Sequence, residues 1–207
     1  MSARPVLSDA ERIHIRNAVA AAEAKTTGEI FVVVARASDG YGFIPLVWAM
    51  LAALLVPLPL IGLTLLPAAV IFAVQLGVFA LLAVVLSLPA VRPLCVPAAA
   101  KRARAHGLAV QQFLAHGLHT TEARTGALIF VSLVERHAEI VADAGIAAKV
   151  DQATWDAAIA ALLAEVRQGR LAGGLVAAIE QVGAELARHF PPHPRDRDEL
   201  PNDPIFL

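Results

Sequence analysis

The chain has 207 residues, of which 57% are hydrophobic, 17% charged and 5% aromatic, with a formal net charge of -1. Near-neutral charge and few aromatic stacking platforms argue against a nucleic-acid binder. From Gly40 to Val91, 52 residues pass without an Asp, Glu, Lys, Arg or His, and about 150 residues remain outside them, enough for one soluble domain but not two.

Ser8-Asp9-Ala10-Glu11 has the S-x-x-E pattern of a capping box, in which serine hydroxyl and glutamate carboxylate satisfy the first backbone N–H groups of a helix. Apolar spacing carries that helix to about Ala24, and Thr26-Thr27-Gly28 ends it. Glu29 to Ala35 is then a continuous β-branched and aromatic run of strand length. Continuity in place of alternation marks a strand covered on both faces, and therefore a central one. These first residues are studded with charge and lack an apolar h-region, so no secretory signal is expected.

As a single helix the uncharged stretch would run about 78 Å, against about 30 Å of hydrocarbon, so it suits two spans. The first is expected from about Phe43 to Leu60 or a little beyond and the second from about Ala68 to Leu88, with Gly62, Thr64 and Pro67 at the turn. Pro57 and Pro59 free backbone carbonyls inside the first span, so the helix kinks there or the turn begins earlier. Tyr41, Phe43 and Trp48 stand at its start, where amphipathic rings favour the headgroup level. A hairpin returns the chain to the side it left. Arg92, Lys101, Arg102 and Arg104, with no acid before Glu122, therefore place both termini in the cytoplasm of an inner or plasma membrane protein, and that basic run suits anionic lipid. The single Cys95 has no intramolecular disulfide partner and agrees with a reducing compartment.

Beyond the hairpin, Pro97 to about Leu118 reads as a helix, Thr120 to Gly126 as a loop, and Ala127 to Leu133 as a second buried strand. Glu135-Arg136 makes a turn into an alternating partner strand, His137 to Asp143. Asp151 is placed to cap a helix ending near Gln168 with Gly169 as terminator, and a last helix runs from Leu171 or Gly173 to about His189. From Pro191 the composition turns to Pro, Asp, Arg and Glu, the mark of an unpacked tail, although Ile205-Phe206-Leu207 has the composition to dock. Ala24-Lys-Thr-Thr-Gly-Glu-Ile-Phe-Val-Val-Val-Ala35 echoes Ala123-Arg-Thr-Gly-Ala-Leu-Ile-Phe-Val-Ser-Leu133. Two such units fit parallel neighbours in one sheet, joined by a crossover that contains the hairpin. The repeated exit at Gly28 and Gly126 suggests a backbone with φ > 0 there.

Gly28 to Val34, the block Thr125-Gly-Ala-Leu-Ile-Phe-Val-Ser-Leu-Val-Glu-Arg-His-Ala-Glu-Ile-Val-Ala-Asp143, Trp155 in a helix ending at Gly169, and Gly173-Gly-Leu-Val-Ala-Ala-Ile179 together resemble the TPM-domain family. That family includes photosystem II repair proteins of the thylakoid and many bacterial membrane proteins. The resemblance implies an α/β fold, a TPM-like small sheet sandwiched by helices, here interrupted by a two-helix transmembrane hairpin. The division that follows is residues 1–40 as the first part of that domain, 41–91 as the hairpin, 92–190 as the second part and 191–207 as the Pro- and charge-rich tail. This chain departs from the usual family layout of a signal peptide and a C-terminal anchor. The resemblance also implies one of two activities: an accessory or repair role beside a membrane complex, or a phosphatase activity with metal binding.

Asp39 and Asp143 follow the first and third strands, and an acid pair from two strand ends suits a hard cation such as calcium or magnesium. Each is also an ordinary turn residue. His116-Gly-Leu-His119 has a spacing compatible with zinc but no acid or thiol in the same turn, so a solvated helix end is the plainer reading. Glu135-Arg136 is read as an exposed hairpin tip rather than a phosphate clamp, Cys95 as a spectator, and Trp155 as core. With no phosphate loop and no nucleophile elbow, the expectation is a non-enzymatic accessory or assembly factor that meets membrane lipids and a membrane protein complex, and no nucleic acid. The alternative is a metal-dependent phosphatase using Asp39 and Asp143.

Overall fold

In the computed structural model the described residues are 7–38, 40–121, 123–193 and 199–207. The helices, in chain order, are α1 (Asp9–Glu23), α2 (Ile44–Leu55), α3 (Pro57–Leu63), α4 (Ala68–Ser87), α5 (Arg92–Cys95), α6 (Ala98–Ala115), α7 (Ala144–Ala147), α8 (Gln152–Arg167) and α9 (Leu171–His189). The strands are β1 (Glu29–Ala35), β2 (Gly126–Ser132), β3 (His137–Ala142) and β4 (Ile205–Phe206). Two compact units emerge: Met1–Ser38 with Arg104–Leu207, and Asp39–Ala103.

The first unit is built on a mixed sheet in the order β3-β2-β1-β4. β1 and β2 run parallel from Glu29 opposite Gly126 to Ala35 opposite Ser132, as the echo between the two segments predicts. The register pairs Ile30 with Ala127, whereas the echo aligns it with Ile129. A two-residue offset keeps every side chain on its own face, so the resemblance survives the shift. β3 returns antiparallel to β2, and the whole length of β1 is buried.

Alternation along β1 divides the core in two. Ile30, Val32 and Val34 join Ala127, Ile129 and Val131 beneath Ile15 and Val19 of α1, Trp155 and Leu162 of α8, and Leu175, Ile179 and Val182 of α9. Phe31, Val33 and Ala35 join Leu128 and Phe130 beneath Ala105, Ala109 and Phe113 of α6. The sheet is thus sandwiched by helices, and its central strand needs apolar side chains in both directions, which is why its sequence does not alternate. Trp155 is core, 3% exposed.

The helix ends follow local chemistry. At α1 both halves of the capping box form, with Ser8 N donating to Glu11 Oε2 at 2.8 Å and Glu11 N donating to Ser8 Oγ at 3.3 Å. α8 closes with Gly169 at φ 77°, where Gly169 N donates to Val166 O and Arg170 N to Glu165 O, both at 3.0 Å, the paired bonds of a left-handed helix stop. Asp151 occupies the N-cap of α8, but its side chain makes no capping bond.

Three expectations are corrected. Neither Gly28 nor Gly126 has positive φ; in the second turn that conformation belongs to Arg124, at 56°. Gly126 is constrained by proximity instead, because a Cβ there would lie 2.4 Å from the carbonyl oxygen of Leu118. The tail beyond Pro191 is not unpacked throughout: its end docks, as the composition of Ile205-Phe206-Leu207 allows, and Ile205–Phe206 adds β4 to the sheet parallel to β1, with Arg36 N donating to Leu207 O at 2.9 Å. Finally, α6 ends at Ala115, and Leu118 falls in a 3₁₀ turn after Gly117 at φ 72°.

The second unit holds the uncharged hairpin. Its first arm is α2 and α3, broken at Val56 because Pro57 has no N–H for the Ala53 carbonyl; Val56 N takes that carbonyl at 3.3 Å. The kink expected of Pro57 is the outcome. The turn spans Thr64 to Pro67, and the Thr64 hydroxyl donates to the Leu60 carbonyl. Ile44–Leu63 and Ala68–Ser87 are each 20 residues long and apolar enough to cross a membrane.

Candidate functional site

The carboxyl end of parallel strands is where α/β sheets place ligands, and β1 and β2 deliver a polar cluster there. Ser38 Oγ donates to Ser132 Oγ at 2.8 Å, Ser132 Oγ donates to Glu135 Oε2, and Ser38 N donates to Glu135 Oε1 at 3.1 Å. Ser132 is fully buried, so its hydroxyl needs these partners. Glu135 is therefore no exposed tip residue. It is half-buried and ties the chain leaving β1 to the β2–β3 turn, while Arg136 takes the positive φ of 50° that the turn requires. Asp39, the next residue after Ser38, lies outside the described residues.

Asp143 is placed at the other end of the sheet. Its backbone N donates to Gly126 O at 2.9 Å, its Oδ1 accepts from Ala144 N at 2.7 Å, and it caps the single turn of α7. Its side chain is 8% exposed, and Oδ2 makes no hydrogen bond among the described residues but faces Arg124 Nη1 at 3.9 Å. A guanidinium in that position competes directly with a cation. Ser38 follows Ala35, opposite Ser132, whereas Asp143 lies beside Gly126. The strand between them, at about 3.3 Å per residue, separates the two ends by about 20 Å.

Between Ala24 and Glu29, and again before Gly126, threonines close the amino end. Thr26 Oγ1 donates to Phe190 O at 2.7 Å, and Thr125 Oγ1 donates to Thr27 O at 2.9 Å, so the two echoed turns are bonded to one another and to the end of α9. His116 packs on Phe31 with ring centroids 4.7 Å apart, and His119 is half-buried, so neither is a freely solvated helix end. A third histidine group was not visible in sequence. Glu139 of β3 lies 2.9 Å from His106 Nδ1 of α6 and 3.7 Å from His137 Nε2. Burial raises the Glu139 pKa, and the two imidazoles lower it by more, leaving it below the ordinary glutamate value. The alternating pattern of β3 placed His137 and Glu139 on one face, but His106 comes from a different element. Among the described residues no group of three or more His, Cys, Asp or Glu side chains is placed to hold a metal ion.

In the hairpin unit, Arg92 acts as a clasp at the open end. Nη1 donates to Gly40 O at 3.0 Å and Nη2 to Ser87 O at 2.8 Å, so one guanidinium joins the start of the first arm to the last turn of the second. Trp48 Nε1, on the first arm, donates to Cys95 O at 3.0 Å.

These features define an α/β protein with a mixed four-stranded sheet between helical layers and an apolar two-helix insertion between its two parallel central strands. The family model of the TPM domain matches residues 91–185. The fold is shared with the NMR structure of the BA42 protein from the psychrophilic bacterium Bizionia argentinensis, at TM-score 0.64 and 22% identity, over 100% of this chain and 99% of that one. No curated protein matches the chain.

Proposed function

We propose that this is an integral membrane TPM-domain protein whose α/β domain works from the cytoplasmic face as a non-enzymatic accessory or assembly factor, in contact with membrane lipids and a membrane protein complex. The observation that carries the reading is the hairpin: two 20-residue arms, exposed along most of their length and without charge, stand in the connection between β1 and β2. Such surface is costly in water and favourable in hydrocarbon. Support for a role through surface rather than chemistry comes from the carboxyl end of the sheet, where Ser38, Ser132 and Glu135 are engaged with one another.

The second reading, a metal-dependent phosphatase using calcium or magnesium at Asp39 and Asp143, draws on the family model, which is named for a phosphatase; the place of Asp143 at the end of the sheet away from Ser38 counts against one cation shared by the two carboxylates. Both readings meet in one experiment. Metal binding by calorimetry and hydrolysis of a phosphomonoester are measured for the wild type and for the Asp39→Asn, Asp143→Asn double variant, since amides keep the size of the carboxylates and remove their charge. The accessory reading expects neither saturable binding nor turnover. Activity in the wild type that vanishes in the variant replaces it with the phosphatase.

A further inference from the structure

We propose that two copies of this chain associate through their hairpins, with the Gln75 amides of the two copies paired in a shared four-helix core. The inference rests on the membrane reading above and adds a partner to it. Gln75 is the eighth residue of α4, about 10 Å along the helix from its start, so in a bilayer it lies within the hydrocarbon. Its amide makes no hydrogen bond among the described residues. The side chain is half-buried and lines two openings between the arms: one of about 550 Å³ with Pro57, Ile61 and Phe72, and one of about 170 Å³ with Met50 and Leu54. The remaining lining is apolar apart from Thr64, whose hydroxyl is already given to Leu60.

A primary amide presents two N–H donors and a carbonyl acceptor. Lipid tails supply neither kind of partner, and an unpaired amide in hydrocarbon is strongly disfavoured. The group that satisfies donor and acceptor together across a two-fold axis is an identical amide, because in a symmetric dimer each residue meets its own counterpart or the reciprocal pair. Two hairpins facing through these openings make four helices, and polar groups on facing helices of such a bundle project into its core. The amide thereby selects a second copy of this hairpin over an apolar helix that only fits the space.

The test uses the full chain in phosphatidylcholine–phosphatidylglycerol vesicles, fused to donor or acceptor fluorescent proteins, with Gln75→Leu, Gln75→Asn and, in a Cys95→Ser background, Gln75→Cys. Vesicle flotation reports insertion, and energy transfer on dilution with lipid reports association. Wild type and Gln75→Leu should both float, with dimerisation weakened at least tenfold in Gln75→Leu and less in Gln75→Asn, and Gln75→Cys copies should cross-link under mild oxidant. A wild type that floats as a monomer, a Gln75→Leu variant as dimeric as wild type, or a Gln75→Cys variant that does not cross-link overturns the proposal while leaving the membrane reading intact. A wild type that stays out of the vesicles overturns the membrane reading and the dimer together.

Discussion

Gly126 owes its identity to the carbonyl of Leu118, which stands 2.4 Å from where a Cβ would be. Backbone atoms cannot rotate aside as a flexible side chain can, so a larger residue must displace either the start of β2 or the 3₁₀ turn before it. Gly126→Val is expected to destabilise the domain by about 1–3 kcal/mol, and a melting curve superimposed on the wild type would exclude this account. The echo at Gly28 meets a softer neighbour, Leu186 Cδ1 at 2.9 Å, and Gly28→Ala should cost less. Glu139 carries a pH prediction. Its folded pKa lies below 4.5 because His137 and His106 outweigh its burial. A depressed pKa adds stability that is present above the unfolded value and is lost as pH falls through the folded one. Thermal melts between about pH 5 and pH 3 should therefore fall more steeply for wild type than for Glu139→Gln; parallel slopes would remove the role assigned to this carboxylate.

At the scale of elements, what was legible depended on local physics. The capping box of α1, the glycine stop of α8, the buried run of β1 and the proline kink between α2 and α3 each arise from residues within a few positions of one another. β4 is different: two residues form a strand because β1 offers an unpaired edge on the side away from β2, and no feature of Ile205-Phe206 reveals that edge. The Phe206 ring packs against the core beside α1 and lies under the Arg12 guanidinium, 5.0 Å from its centroid. Phe206→Ala is expected to lower stability by about 1–2 kcal/mol, given its half-buried ring. Hydrogen exchange at Leu207, whose N–H donates to Val34 O at 3.0 Å, should accelerate in the same variant. Unchanged protection there would mean that β4 pairs without help from the ring.

For the whole molecule, the chain begins and ends in one compact unit, since Met1–Ser38 and Arg104–Leu207 share a sheet that the hairpin interrupts. Reporter fusions at Met1 and at Leu207 are accordingly expected to report the same compartment, the cytoplasm on the reading of the basic flank. Opposite signals would require an odd number of spans and would defeat the two-arm hairpin. The length of the uncharged stretch, the parallel pairing of the echoed segments and the enclosed sheet were determined by the sequence itself, because charge desolvation and side-chain periodicity act over short stretches of chain. Tertiary structure alone decided that Glu135 binds the exit of β1, that Asp143 sits at the end of the sheet away from Ser38, that Arg92 clasps Gly40 to Ser87, and that Ile205–Phe206 pairs with β1 as the fourth strand. Each of those depends on residues far apart in sequence whose meeting is set by strand direction and register, quantities that no local pattern encodes.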